Sequence, residues 1–303
     1  MVQKYARFRP ESGACPAFHL HSPPTVPPMI DPTELAALEE TRLATSLPEV
    51  ADSTLTFGPD EGGGVACIGS KGSWANTAVG LGMWGTVPLA AIDRLIDFYA
   101  GTGIEPRVEA CPYAHLSLIA SLADRGFVLR DYESVFARSI HAHETFHVPT
   151  IDGIRIERLP RDNAALIDLF AQTVASGFAA PMEASAASIE ITARCARHPR
   201  CESFAAFAGD RMVGAGSFES LKVGDRLMGA LFSLSVHPEF RGKGIQSALI
   251  ATRLEHASRL GCTLVTIGAQ PGVSTQRNAL RAGFQVMYTK AILVKPMTPA
   301  SPA

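Results

Sequence analysis

A mixed α/β fold, with a mixed central sheet flanked by helices, is expected from three observations. Residues 231–267 read as a strand, a glycine-bearing turn, a helix and a second strand. A helix, a Gly-Phe pair and an alternating strand follow one another twice, at 118–138 and at 278–295, which marks an internal repeat. The chain of 303 residues is long enough for two cores, each of about 150 residues.

In chain order, residues 1–30 form a flexible tail, with prolines recurring from Pro10 to Pro28 and no apolar period. No apolar stretch follows the basic start, so no secretory signal is expected. Val65-Ala-Cys-Ile68 is a short apolar strand. Residues 72–92 carry no charge, but Gly72, Gly80, Gly82, Gly85, Asn76 and Pro88 argue against a membrane helix and for a strand and loop facing a cleft. An amphipathic helix is expected over 87–99, with Ile92, Leu95 and Ile96 inward, then a strand over 107–111. The first copy of the repeated unit closes on Gly126-Phe127 and a strand that reaches Arg138.

Residues 141–150 read as a solvated linker, and His141, His143 and His147 lie in it rather than in a metal site. A first strand of the second half is expected over 154–158, and a helix over 162–178 carries Ala165, Leu166, Leu169, Phe170 and Val174 at helical spacing. Residues 204–218 form two strands about Gly209-Asp210, and Val223-Gly224-Asp225 makes a second turn. Leu231, Phe232, Leu234 and Val236 then form a buried strand ended by Pro238. From Ile245 the period becomes helical through Ile250, Leu254 and Ala257 until Gly261, and Thr263-Leu-Val-Thr-Ile267 is the next strand.

Between strand and helix stand Arg241, Gly242, Lys243 and Gly244. The first turn of a helix leaves backbone N–H groups unpaired, and such a terminus favours negative charge by roughly 0.3 to 1 kcal/mol per group. Glycine lets that backbone come close to a bulky phosphate. On these residues alone the turn is an anion cradle with phosphate as its natural guest.

Over residues 148–297 the sequence resembles the GNAT superfamily of acetyl-coenzyme A dependent N-acetyltransferases. The family signature, Arg/Gln-x-x-Gly-x-Gly/Ala after a strand ending near Val-x-Pro, is matched by Val236-His237-Pro238, Arg241 and Gly244, with Gln246 in place of the final small residue. The hairpins at 204–225 and the last helix ending in Gly283-Phe284, followed by a strand over 285–294, come in the family's order. The resemblance implies an acetyltransferase domain at 151–297 with a tail at 298–303; with the internal repeat it implies tandem GNAT-type folds, a degenerate copy at 31–140 without a cradle, since Thr86-Val-Pro-Leu-Ala has neither arginine nor glycine there, and a linker at 141–150, the alternative for 31–140 being an unrelated α/β domain.

It also implies a reaction, the direct attack of an amine of a small molecule or peptide on an acetyl thioester. Acetyl-coenzyme A is then the co-substrate, with its phosphates on Arg241, Gly242, Lys243, Gly244, Ile245, Gln246 and Ser247, its pantetheine along the backbone of Leu234, Ser235 and Val236, and Asn278 beside it. Glu219 is the first candidate base and Glu202 the second. Many family members place a tyrosine acid where this chain has Ala279, which leaves Ser274, Tyr288 or a water to protonate the thiolate, while Ser233 and Ser235 can line the site. Gln246 implies either a displaced cofactor or an amide that joins the phosphate contacts. Acceptor recognition falls to 175–202, with Phe178, Met182, Glu183 and Arg194.

The class alternative is a non-catalytic acyl-coenzyme A sensor or regulatory protein. A third option, an NTP-binding module, is weak because no Gly-x-x-x-x-Gly-Lys-Ser/Thr pattern occurs. With 27 basic against 29 acidic residues the net charge is −2, so neither a nucleic-acid nor a membrane partner is expected, while a homodimer stays open. Cys15, Cys67, Cys111, Cys195, Cys201 and Cys262 form no Cys-x-x-Cys pair, which fits free thiols, no metal and a cytoplasmic location.

Overall fold

The structure, a computed structural model, describes residues 30–141, 143–178 and 185–297, apart from the side chain of Phe178. The proline-bearing tail, Cys15, Met182, Glu183 and residues 298–303 lie outside the described residues. The N-terminal half comprises α1 (Pro32–Ser46), β1 (Ser53–Thr56), β2 (Val65–Ile68), β3 (Thr77–Val79), α2 (Leu89–Tyr99), β4 (Arg107–Ala110), α3 (Ser117–Asp124) and β5 (Val128–Ser139). The C-terminal half comprises β6 (Ile154–Arg158), α4 (Ala164–Phe178), α5 (Ala186–Arg197), β7 (Cys201–Ala208), β8 (Arg211–Val223), β9 (Arg226–Val236), α6 (Ile245–Leu260), β10 (Leu264–Ala269), α7 (Ser274–Arg281) and β11 (Gln285–Val294).

Local chemistry sets several boundaries. Pro88 is extended, with ψ 158°, so α2 opens at Leu89 rather than at Val87. Asn163 accepts from the Leu166 N–H at 3.1 Å, a cap that starts α4 at Ala164. Two helices were not visible as amphipathic periods. In α1 the inward positions include Glu39, Glu40 and Arg42 beside Leu35 and Ala36, so the buried face reads as polar; Asp31 caps it through the Thr33 N–H at 2.7 Å. In α5 the buried positions are mostly small or polar, among them Ala187, Thr192 and Ala193.

All eleven strands form one sheet in the order β1-β2-β3-β4-β11-β5-β10-β9-β8-β7-β6. The two halves interleave at its centre. Strand β5 lies between β10 and β11, and β11 lies between β4 and β5, all of these contacts being antiparallel. The series β3-α2-β4-α3-β5 has the same element order and pairing senses as β9-α6-β10-α7-β11, with β3 parallel to β4 and β9 parallel to β10. Each half therefore closes its own sheet with the other half's last strand.

Period-two alternation sorts the core onto two faces. Phe136 of β5 packs with Leu249, Leu254 and Phe284 on the face covered by α6 and α7, while Ala66, Val108 and Leu293 pack on the same side beneath α2 and α3. Val135, Leu264, Met228 and Tyr288 turn to the opposite face, beneath α1, which α4 and α5 extend. His141, His143 and His147 are exposed, yet the connection is pinned to α6: the Phe146 N–H donates to Glu255 at 2.9 Å and Ser258 Oγ to the Glu144 carbonyl at 2.7 Å. Cys67, Cys111, Cys195, Cys201 and Cys262 are buried free thiols. No helix among the described residues is long and apolar enough to cross a membrane, and no group of side chains there suits a metal ion.

Candidate active site

The site begins with a fork in the sheet. Parallel pairing of β9 with β10 runs from Met228↔Leu264 to Leu231↔Ile267 and then stops. Against β8 the register slips from Ala215↔Ser235 to Ser217↔Phe232, so β9 carries one extra residue there, and Ser233 takes φ 53°. Such a bulge bends its strand. Beyond it β9 keeps a neighbour only on the β8 side, so alternate backbone groups of 232–236 face the gap.

Arg253 of α6 fixes this bend. Its Nη1 donates to the carbonyls of Ser217 at 2.8 Å and Phe232 at 3.2 Å, and its Nε to that of Leu249 at 2.9 Å. The guanidinium is fully buried without a carboxylate, and burial holds it well below the ordinary arginine range. Gly216 leaves it room, since a Cβ there would stand 2.8 Å from Arg253 Cζ. Helix α6 is thereby drawn onto β8 and β9 with its N-terminus at the mouth of the fork.

That N-terminus is uncapped by any side chain. Gly242 and Gly244 take φ 77° and 84°, left-handed values that glycine adopts without steric penalty, and a Cβ at Gly244 would meet only Ile151 Cδ1, at 3.8 Å. The turn is thus open space lined by backbone donors. Lys243 Nζ sits 4.7 Å from the Phe240 ring centre, and Arg241 turns back to the carbonyls of Val236 (3.1 Å) and Gly177 (3.3 Å). Arg277 and Arg281 of α7 add positive charge to the same mouth.

A cleft of about 1150 Å³ runs from this mouth through the fork to the face beneath α1. It is lined by Leu234, Ser235, Val236, Arg241, Gly242, Gly244, Ile245, Gln246, Ser247, Ser274, Asn278 and Glu219, so the structure gathers these positions around one space; Lys243 stands in the turn just outside it. Several side chains are committed elsewhere. Ser235 Oγ donates to the Thr173 carbonyl at 2.9 Å, which ties β9 to α4. The Gln246 amide donates to Thr275 Oγ1 at 3.0 Å and accepts from Asn278 Nδ2 at 2.5 Å, so it joins α6 to α7. Gln246→Gly is expected to cost about 1 to 3 kcal/mol in urea unfolding, from two lost hydrogen bonds and a glycine in the first turn; an unchanged unfolding free energy would mean that the link between α6 and α7 contributes nothing.

Two sequence-derived candidates fall away from the cleft. Glu202 alternates onto the α6 face of β7, where it pairs with Arg158 at 2.8 Å and His256 at 3.0 Å; although burial pushes its carboxyl up, those partners hold it below the ordinary value. Tyr288 is buried under α1 and donates to Glu40 at 3.2 Å, with burial and the nearby carboxylates driving its phenol well above the usual range. Ala279 is buried in the apolar core between α6 and β5.

The far end of the cleft is a layer of charge between α1 and the sheet. Glu219 accepts from Arg42 at 2.5 Å and lies 3.5 Å from Arg200, so its oxygens already serve two guanidiniums. Arg42 also holds Glu39 at 2.7 Å; burial raises the Glu39 carboxyl, but Arg42 and Lys290 bring it below its ordinary value. Lys290 stands 2.7 Å from Glu40 and 3.5 Å from Glu109. Burial raises Glu40 despite that partner. Glu133 of β5, absent from the sequence-derived candidates, lines the same floor, and burial together with the charge of Glu109 pushes its carboxyl up to about 7. One signal for it exists: Glu133 and Lys290 each stand seven residues after the glycine of a Gly-Phe pair, Gly126 and Gly283, and the two face each other across β5 and β11.

The equivalent turn of the N-terminal half is filled. Ahead of α2 the Val87 N–H donates to Ser117 Oγ at 2.8 Å and the Val87 carbonyl accepts from Ser121 Oγ at 2.9 Å, so side chains of α3 take up backbone groups of the turn, whereas no side chain caps α6.

Comparison with known proteins bears on this geometry. Residues 166–284 match the model of the acetyltransferase (GNAT) family. A GCN5-related N-acetyltransferase from Kribbella flavida superposes with TM-score 0.62 at 14% identity, covering 88% of this chain and 96% of that one. A tandem GNAT protein from the clavulanic acid biosynthesis pathway superposes with TM-score 0.57 at 12% identity, covering 89% and 94%. At such identities these likenesses establish the fold alone, a mixed α/β architecture whose two halves share one mixed sheet. No curated protein matches the sequence.

Proposed function

With residues 166–284 forming a GNAT domain, we propose that this protein is an acetyl-coenzyme A dependent N-acetyltransferase acting on an amine of a small molecule or peptide. One observation carries the reading: the uncapped, glycine-bearing turn before α6 opens directly into a cleft that passes through the fork of β9 and β10. Bound acetyl-coenzyme A would supply an activated acetyl thioester. The first-turn N–H groups from Gly242 to Ser247 hold its pyrophosphate, with Arg241 and Lys243 adding positive field. Leu234, Ser235 and Val236 act through backbone, pairing with the pantetheine and giving an N–H to the thioester oxygen as it gains charge. Asn278 fixes α7 against α6 beside this path, through Gln246.

Ser274, exposed at the start of α7 on the cleft wall, is the hydroxyl available to protonate the departing thiolate. Glu219, held by two arginines, adds negative charge toward a cationic acceptor. Residues 31–140 serve as a degenerate copy of the 151–297 domain that completes its sheet and walls the acceptor side. The repeated element order and the turn filled by Ser117 and Ser121 support that role. The buried free thiols fit a cytoplasmic setting.

The test is release of free thiol from acetyl-coenzyme A in the presence of a broad panel of amines. Amine-dependent release is expected. Saturable binding with no release from any amine would favour the sensor reading.

A further inference from the structure

We infer that Glu133, supplied by the N-terminal half, is the general base for acetyl transfer in the cleft of the C-terminal half. The inference rests on the acetyltransferase reading above.

Placement is the first support. Strand β5 pairs with β10 through Gly268↔Val135 and Ala269↔Ser134, and Glu133 follows on the face that Val135 shares. Gly268 is the first residue of β10 past the fork, since pairing with β9 ends at Ile267. The carboxylate occupies the space that a side chain at 268 would fill: a Cβ built on Gly268 would collide with Glu133 Oε1. A carboxylate therefore stands at the point where the cleft crosses the sheet.

Its freedom is the second. Glu39 is held by Arg42, Glu219 by Arg42 and Arg200, and Glu109 by Lys290 at 3.5 Å and Arg107 at 3.6 Å. Glu133 has no hydrogen bond and no ion pair among the described residues.

The charged groups around it decide its proton affinity. Strand β4 presents Glu109 and Arg107, β11 presents Lys290, and α1 presents Glu39, while β10 carries no titratable side chain. Burial and the two glutamates outweigh the two cations, which leaves the group titrating at about 7, suited to a base at neutral pH.

An ammonium acceptor gives one proton to the Glu133 carboxylate, and the freed nitrogen lone pair forms the C–N bond to the acetyl carbonyl carbon. The C–S bond breaks with its electron pair on sulfur, Ser274 gives its hydroxyl proton to that thiolate and takes the second nitrogen proton in its place, and Glu133 returns its proton to solvent. Neither half is then complete alone, because one holds the cradle and the other the base.

The experiment is the pH profile of thiol release by the full chain, using an amine that gives turnover. For the wild type, kcat/KM is expected to rise with pH through about 7, where Glu133 loses its proton. Glu133→Gln should lower kcat roughly 10²- to 10⁴-fold and abolish that limb, with thermal stabilisation by acetyl-coenzyme A unchanged. Gly268→Ala, which pushes the carboxylate aside without removing it, should also lower kcat. Retention of rate and limb in Glu133→Gln would overturn the assignment. A wild type silent toward every amine would instead overturn the acetyltransferase reading on which it rests.

Discussion

Gly244→Glu is expected to abolish binding of acetyl-coenzyme A while the protein stays folded. Gly244 precedes the first turn of α6 at φ 84°, with no side chain capping the helix. A carboxylate there brings a negative charge against a pyrophosphate. At about 4 Å and an effective dielectric near 20 one such pair costs about 4 kcal/mol, roughly a thousandfold in affinity. The fold bears less, because only the left-handed backbone is strained, at about 1 to 2 kcal/mol. Gly244→Ala carries the same strain without the charge, and space is present for its Cβ. Calorimetric titration with acetyl-coenzyme A should therefore rank wild type, then Gly244→Ala, then Gly244→Glu with no detectable binding. Equal affinity across the three would remove the cradle from the account.

The second large effect is on stability. Lys290 is buried at 1% exposure and neutralises Glu40 and Glu109 in the layer beneath α1. Lys290→Met leaves those carboxylates without their cation, and breaking a buried pair from one side typically costs about 3 to 5 kcal/mol. The pH dependence has a definite sign. Glu40 already has its carboxyl raised by burial, and a group whose folded pKa lies above its unfolded value contributes stability at low pH that is lost as pH rises. Without Lys290 that loss grows, so the variant's deficit in urea unfolding should be larger at pH 8 than at pH 5. A deficit below about 1 kcal/mol at both would mean that the layer is hydrated and weakly coupled.

Much of the turn before α6 and of the elements around it was legible because their determinants are local. Turn residues, the change from period two to helical period at Ile245 and the cap at Gly261 all act within a few residues, and β6 and β11 begin and end where the pattern sets them. The rest depends on pairing between distant segments. Nothing within 128–139 states that β5 will lie between β10 and β11, yet that choice brings Glu133 into a cleft that residues of both halves line. Helix α1 was hidden for a related reason: its buried face carries Glu39, Glu40 and Arg42, whose partners Glu219, Lys290 and Tyr288 are far away in sequence. Glu202 lies just before the apolar run that begins at Phe204, where the sequence does not state its face; in β7 it turns to the α6 side and pairs with His256.

Gln246 departs from the glycine or alanine of the signature, and the structure gives the reason. Its amide spans from α6 to Thr275 and Asn278 of α7, a link that a small residue would lack. The backbone of the turn before α6 is left open by that arrangement.

The most direct test of the central claim is a crystal structure of the full chain with coenzyme A. The pyrophosphate is expected on the backbone N–H groups between Gly242 and Ser247, pantetheine along Leu234 to Val236, and the thiol at the fork beside Gly268 and Glu133. Coenzyme A seated elsewhere, with the turn before α6 empty, would contradict it.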